Sequence, residues 1–240
     1  MRSAFLGWRF WLLSAGALMG VTVTCALGAW QLSRANFKAA LQAEVTAQRQ
    51  LPPLDGSALR AGAPLHRQVM LRGTWLASHT VFLENRQMNG KPGFFILTPL
   101  QLEGQPEVVL VQRGWALRNF VDRSAPPAVQ TPAGRVTLQG RIAPPPSKLY
   151  DFAGTSAGTI RQNLDLAQFG AEIRLPLLDV TVLQTDEASE GLLRQWPEPS
   201  TGVDKHYGYA FQWFGLAGLI ALLYVWFQIV RRFILPSRAA

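Results

Sequence analysis

The chain has 240 residues, 48% hydrophobic and 16% charged, with 23 lysines and arginines against 15 acidic residues and a formal charge of +8. Cys25 is the single cysteine, and His66 and His79 are the only histidines outside the apolar stretch that begins at His206. That inventory excludes a disulfide framework, a Cys-rich metal site and a multi-histidine cage, and with no basic stripe interleaved with stacking aromatics no nucleic acid is expected as a partner.

Residues 1–9 form a short tail carrying Arg2 and Arg9, and from Phe10 to Trp30 there is no Asp, Glu, Lys or Arg. At about 1.5 Å per residue, about 20 apolar residues cross a hydrocarbon core about 30 Å thick, so 10–30 is read as a transmembrane helix. Trp8, Trp11 and Trp30 border it, as interfacial aromatics do. A cleaved signal peptide is the rival reading, with Ala26-Leu27-Gly28 as the better cleavage site. The apolar run exceeds a usual signal core, however, and the anchor is read as retained.

Ser33–Gln50 reads as a helix leaving the membrane, with Ser33 placed to cap it and Leu51-Pro52-Pro53 ending it. The pattern then shortens to strand lengths rich in Val, Ile, Phe, Leu and Thr. Expected strands are Gln68–Leu76, Thr80–Gln87, Phe94–Leu102, Val108–Leu117, Arg135–Ile142, Thr159–Leu164 and Leu178–Thr185. Met88-Asn89-Gly90-Lys91-Pro92-Gly93 supplies a turn, and Pro126-Pro127 and Pro144-Pro145-Pro146 mark loops. Asp186 to Asp204 is mostly polar and links this domain, residues 31–205, back to the membrane. His206 to Val230 is the second uncharged run, read as a second transmembrane helix, and residues 231–240 form a tail with Arg231, Arg232 and Arg238.

The expected fold is therefore a membrane protein with two transmembrane α-helices flanking an extracytoplasmic β-rich domain, α+β and small and barrel-like. The two tails carry five basic residues and no acidic one, so the positive-inside rule places both termini in the cytoplasm. Too few residues precede the first span for a mitochondrial import sequence. The expected location is thus a bacterial inner membrane, with the lipid bilayer as partner and the central domain periplasmic.

Gly154-Thr155-Ser156-Ala157-Gly158 matches the spacing of a nucleophile elbow, and Asp179 or Asp186 and then His206 follow in hydrolase order. The elbow needs a helix directly after the serine, whereas Thr159-Ile160-Arg161-Gln162 reads as strand, so the segment is read as a turn. No phosphate loop or dinucleotide fingerprint occurs, and no enzyme is expected. Copper handling is disfavoured because Cys and Met do not cluster outside the spans.

On a helical wheel with Gly215 at zero, Gly208 falls near about 20°, Gly218 near about −60° and Leu222 near about −20°. His206, Tyr209, Trp213 and Tyr224 fall near about 180°, 120°, 160° and 180°. In the first span Gly16, Gly20, Thr24 and Gly28 form a small-residue ridge. The ridge is expected to pack on the glycine face of the second span, leaving the aromatic face for a flat cofactor or a partner helix. His206 there has the chemistry of an axial haem ligand, but Lys205-His206-Tyr207 also suits plain anchoring at the headgroups.

Several separated motifs resemble those of the Surfeit locus protein 1 family. They are Leu27-Gly28-Ala29-Trp30-Gln31-Leu32-Ser33-Arg34 with Lys38, Leu83-Glu84-Asn85-Arg86, Gly93-Phe94, Val111-Gln112-Arg113-Gly114-Trp115 and Gly140-Arg141. Lys205-His206-Tyr207-Gly208-Tyr209-Ala210-Phe211-Gln212-Trp213-Phe214 is the most specific, and order and topology agree over nearly the whole chain. The resemblance implies a cytochrome c oxidase assembly factor that assists haem a insertion into the haem-bearing oxidase subunit, with haem a synthase as a further expected partner. It implies His206 as a transient haem a ligand, with Tyr209, Gln212 and Trp213 lining the haem. Asn85, Arg86, Arg113 and Trp115 are matched as structural residues ahead of partner or propionate contacts, and Trp30 and Arg34 as residues that fix the exit of the first helix. A scaffold that steadies an oxidase intermediate without coordinating iron is the alternative reading.

Overall fold

A computed structural model describes residues 7–122, 125–150, 158–197 and 202–234. The chain divides into two compact units, Met1–Ala43 with Ser200–Ala240, and Glu44–Pro199. Trp8–Gln50 forms one continuous helix of 43 residues, α1. The helix does not restart at Ser33, because between Ala29 and Leu51 the sequence holds no Gly or Pro to interrupt it and many alanines to sustain it. Pro52 and Pro53 supply the stop.

The second unit is built on strands β1 (Leu54–Asp55), β2 (Gln68–Trp75), β3 (Val81–Met88), β4 (Lys91–Leu102), β5 (Val108–Leu117), β6 (Arg135–Ala143) and β7 (Ile160–Arg161). A short helix, α2 (Leu166–Ile173), and strand β8 (Leu177–Gln184) complete it. The eight strands form one sheet in the order β1-β2-β6-β8-β5-β4-β3-β7, and β2 also pairs with β4. That extra ladder, Gly73↔Leu102 to Trp75↔Leu100, joins β4 back to β2, so that β2, β6, β8, β5 and β4 form a circuit. It needs a glycine: a Cβ at Gly73 would stand 2.2 Å from the Gln101 carbonyl oxygen.

Alternate residues of the five strands in that circuit point to one apolar core. Val69, Leu71 and Trp75 of β2 meet Leu100 and Leu102 of β4, Val109 and Val111 of β5, Leu138 and Ile142 of β6, and Val180 and Val182 of β8. The period of two is what a strand with one buried face requires. β5 is buried on both faces from Val108 to Ala116. Its other side carries Leu110 into a second cluster, where Leu166 and Phe169 of α2 cover Val81, Leu83 and Leu97.

Seven of the strands lie where the sequence places them, within a few residues. The exception in length is the expected strand Thr159–Leu164, which shrinks to Ile160–Arg161. Asp165 ends it by capping α2, its Oδ1 accepting from the backbone N–H groups of Ala167 and Gln168 at 3.1 and 3.2 Å.

The helix α3 (Val203–Tyr224) completes the first unit, and its last turns widen to π geometry over Val225–Ile234. Among the described residues, α1 and the helix Val203–Arg232 are long and apolar enough to cross a membrane.

Candidate functional site

The helix unit is an antiparallel pair. Along α1 the less exposed residues include a series at Phe10, Ser14, Ala17, Val21, Thr24, Gly28, Gln31, Ala35 and Lys38, with Gly20, Cys25, Leu27, Leu32 and Ala39 beside it, and along α3 the series is Val203, His206, Ala210, Trp213, Ala217, Ile220 and Tyr224. Both series alternate steps of four and three, the repeat of two helices that pack along a seam. Ser14 Oγ and Tyr224 Oη share a hydrogen bond of 2.6 Å near one end. His206 Nδ1 and Gln31 Oε1 lie 2.7 Å apart near the other.

The small-residue ridge packs, but not on the glycine face. A Cβ at Gly28 would lie 2.8 Å from the Phe214 ring, and one at Gly20 would lie 3.4 Å from Ile220 Cδ1. At Gly208, Gly215 and Gly218 an added Cβ would meet nothing within 4 Å. The expected arrangement is thus reversed, for a physical reason. A large side chain seated on a glycine fills the space that a Cβ would occupy and gains dispersion contacts there, as Phe214 does at Gly28. The face expected to stay open for a ligand is the face that meets α1.

This places the four expected site residues unequally. His206 and Trp213, seven residues apart, share the seam. Tyr209 stands on its flank, 52% exposed. Gln212 is exposed and about 120° round the helix from His206, so it does not join the other three on one face. The residue that reading the sequence missed is Gln31. Its local signal was its position three residues beyond Gly28 on the ridge side of α1.

What this site offers a haem is one imidazole. The macrocycle supplies four of the iron's ligands, so a single imidazole can serve as an axial ligand. With Nδ1 occupied by Gln31, the other ring nitrogen of His206 is the one left to do so. Among the described residues no group of three or more His, Cys, Asp or Glu side chains could hold a metal ion by itself. An apolar groove of about 360 Å³ does lie between the helices, lined by Ser14, Ala17, Leu18, Val21, Ala221, Tyr224 and Val225. From Ser14 to Gln31 is roughly 25 Å of helix, so the groove is not part of the His206 site.

In the sheet unit the motif residues are consumed by internal contacts. Asn85 adopts φ 58° at the bulge between Leu83 and Arg86, a conformation that Asn accepts more readily than most residues. Arg86 is buried and donates to the carbonyls of Ser147 and Gln162 at 2.8 and 2.9 Å. Burial pulls its pKa below the ordinary arginine value, yet a guanidinium keeps its charge in proteins. Trp115 Nε1 donates to the Arg86 carbonyl at 2.8 Å. Arg113, wholly buried, donates to Thr131 Oγ1, the Gln130 carbonyl and Glu190 Oε2 at 2.7, 2.6 and 2.5 Å, with the Trp75 ring 4.9 Å from its Cζ. These side chains tie loops to the sheet, in keeping with the structural role expected of them.

The segment Gly154 to Ala157 lies outside the described residues. Gly158 is followed by β7 at Ile160 and by α2 only from Leu166, so no helix directly follows Gly158 as a nucleophile elbow demands. Trp30 is half exposed, with the Arg34 guanidinium 5.9 Å over its ring, on a helix that runs straight through both positions.

Residues 18–218 match the model of the SURF1 family, a range that takes in Gln31, the whole sheet unit and His206. A SURF1-like protein of Rickettsia felis is 27% identical over 218 residues, covering 87% of this chain and 93% of that protein. A SURF1-like protein of Drosophila melanogaster is 26% identical over 251 residues, covering 95% of this chain and 78% of the relative. The cytochrome oxidase assembly protein SHY1 of Saccharomyces cerevisiae is 29% identical over 159 residues, covering 55% of this chain and 41% of the yeast protein.

Proposed function

The chain belongs to the SURF1 family, and on that premise we propose that it is an assembly factor for cytochrome c oxidase and not an enzyme. The observation that carries this reading is the family match running from the first helix through the sheet to the second, together with the assembly role in the name of the yeast relative. In this reading both apolar helices cross a bacterial inner membrane. The basic tails stay in the cytoplasm and the sheet domain stands in the periplasm. The partners are the haem-bearing oxidase subunit and haem a synthase.

Within that role, the chain holds haem a in transit, as cargo, with His206 as an axial ligand. Bound haem a supplies an iron that accepts a nitrogen lone pair. His206 would donate that pair, and the apolar surroundings of the α1–α3 seam would limit water near it. Trp213 and Tyr209 offer aromatic surface beside His206, while Gln212 has no part in this version of the site. A scaffold that steadies an oxidase intermediate without touching iron is the second reading. The engagement of Arg86, Arg113 and Trp115 within the fold favours it, because the sheet unit then contributes shape and surface.

The test is purification of the full chain from membranes that make haem a, with absorption spectra and extracted haem compared between wild type and His206→Ala. Haem a in wild type, lost in a folded His206→Ala protein, supports the carrier reading. Equal binding by both removes His206 as the essential ligand. Absence of haem in both, with oxidase assembly still dependent on the chain, favours the scaffold. If cells lacking the chain assemble oxidase normally, the assembly role itself is refuted.

A further inference from the structure

We infer that Gln31 is a positioning residue that holds His206 in the Nδ1–H form, so that Nε2 presents the lone pair to the haem iron. The inference rests on the proposed ligation by His206 and deepens it.

The chemistry follows from what each atom can do. A carboxamide oxygen only accepts hydrogen bonds, and a neutral imidazole has one N–H and one lone pair. Gln31 Oε1 lies 2.7 Å from His206 Nδ1, so Nδ1 carries the hydrogen and the lone pair falls on Nε2. Free neutral histidine prefers the opposite form, with the hydrogen on Nε2, which has no lone pair there to give. The contact therefore selects the tautomer that can ligate through the outer nitrogen. It also strengthens that nitrogen as a donor, because a hydrogen bond accepted from the distal N–H makes the imidazole more basic.

The packing explains why the acceptor stays in place. Gln31 and His206 occupy matching seam positions of α1 and α3. Three residues before Gln31, Gly28 seats the Phe214 ring, a contact that packs α1 against α3 at this end of the pair. A polar side chain in an apolar seam is stable there only with a partner, and each of these two residues supplies the other's.

The experiment uses the full chain in detergent micelles, as wild type, Gln31→Leu, Gln31→Glu and His206→Ala. Imidazole ¹⁵N shifts of the haem-free protein read the tautomer, and titration with extracted haem a reads affinity. Wild type is expected to show the Nδ1–H form. Gln31→Leu, with helix content unchanged, should move towards the Nε2–H form and lose roughly 10- to 100-fold in haem affinity, the usual effect of removing such a partner. Gln31→Glu retains the acceptor, and should restore affinity and shift the reduction potential of bound haem to more negative values. A wild-type Nε2–H tautomer would mean that the amide group, and not the oxygen, faces the ring, and it overturns the inference. So does an unchanged affinity in Gln31→Leu when His206→Ala loses binding. A wild type in the Nδ1–H form that binds no haem a overturns the ligation reading instead, and the two failures are told apart.

Discussion

Removing the anion beside a fully buried guanidinium should be among the costlier single changes in the sheet unit. In Glu190→Ala, Arg113 keeps Thr131 Oγ1, the Gln130 carbonyl and the Trp75 face, but loses the only carboxylate within 4 Å of it among the described residues. Breaking a buried pair by deleting one partner costs about 3–5 kcal/mol. The Glu190 side chain retains 19% exposure, so water screens part of the charge and the low end, about 3 kcal/mol, is the better estimate. For a cooperative unit of this size 1 kcal/mol moves Tm by about 2–4 °C, which predicts a fall of about 6–12 °C. The control is Glu103→Ala. Glu103 pairs with Arg135 at 3.0 Å, but those side chains are 39% and 73% exposed, and such a pair contributes about 0–1 kcal/mol. Thermal unfolding of the full chain in detergent, followed by near-ultraviolet circular dichroism, measures both. A loss in Glu190→Ala no larger than in Glu103→Ala would refute the view that this ion pair balances a buried charge.

The other predictions concern pH and helix register. His66 has its pKa held below the ordinary value of 6.5 by burial first, and then by the charges of Arg141 and Arg49. The unfolded chain therefore takes up the proton first, and stability present above about pH 6.5 is lost as the pH falls below it. His66→Asn, which tolerates the φ of 68° at that position, should flatten this part of a denaturant-midpoint-against-pH curve. An unchanged slope counts against the assignment. In a Cys25→Ser background, Gly20→Cys with Ile220→Cys should join through a short bis-maleimide, which alkylates both thiols. Gly20→Cys with Gly215→Cys should not, and the reverse yield would restore the glycine-face packing that the structure contradicts.

The strands were legible because their signal is local. β5 lies at the residues expected, Val108–Leu117, since an apolar run buried on both faces needs only turn residues to bound it. The helix α2 was readable in principle from Asp165 as cap and from Leu166, Phe169 and Ile173 on one face. The sequence reading assigns no element there, because eight residues with a glycine among them carry a weak period. The reversed helix packing is a different kind of miss. A wheel separates the faces of α3 correctly, but which face packs depends on the shape offered by α1, and that is a property of the pair. Gln31 and His206 are 175 positions apart, so nothing in either neighbourhood announces their contact.

The same distinction narrows where function resides. Motif residues occur in both units, and in the sheet unit their polar atoms are largely satisfied within the fold. Arg86 holds two loop carbonyls, Trp115 holds Arg86, and Arg113 is enclosed by Thr131, Gln130, Glu190 and Trp75. Arginines placed this way stabilise a shape and offer little charge to a propionate, so substituting them should reduce folded protein before it alters any ligand preference. In the helix unit the motif histidine meets a motif glutamine, and only one of its two ring nitrogens is engaged by that contact. That asymmetry makes the Gln31–His206 end of the helix pair, ahead of the larger sheet unit, the place to look for chemistry.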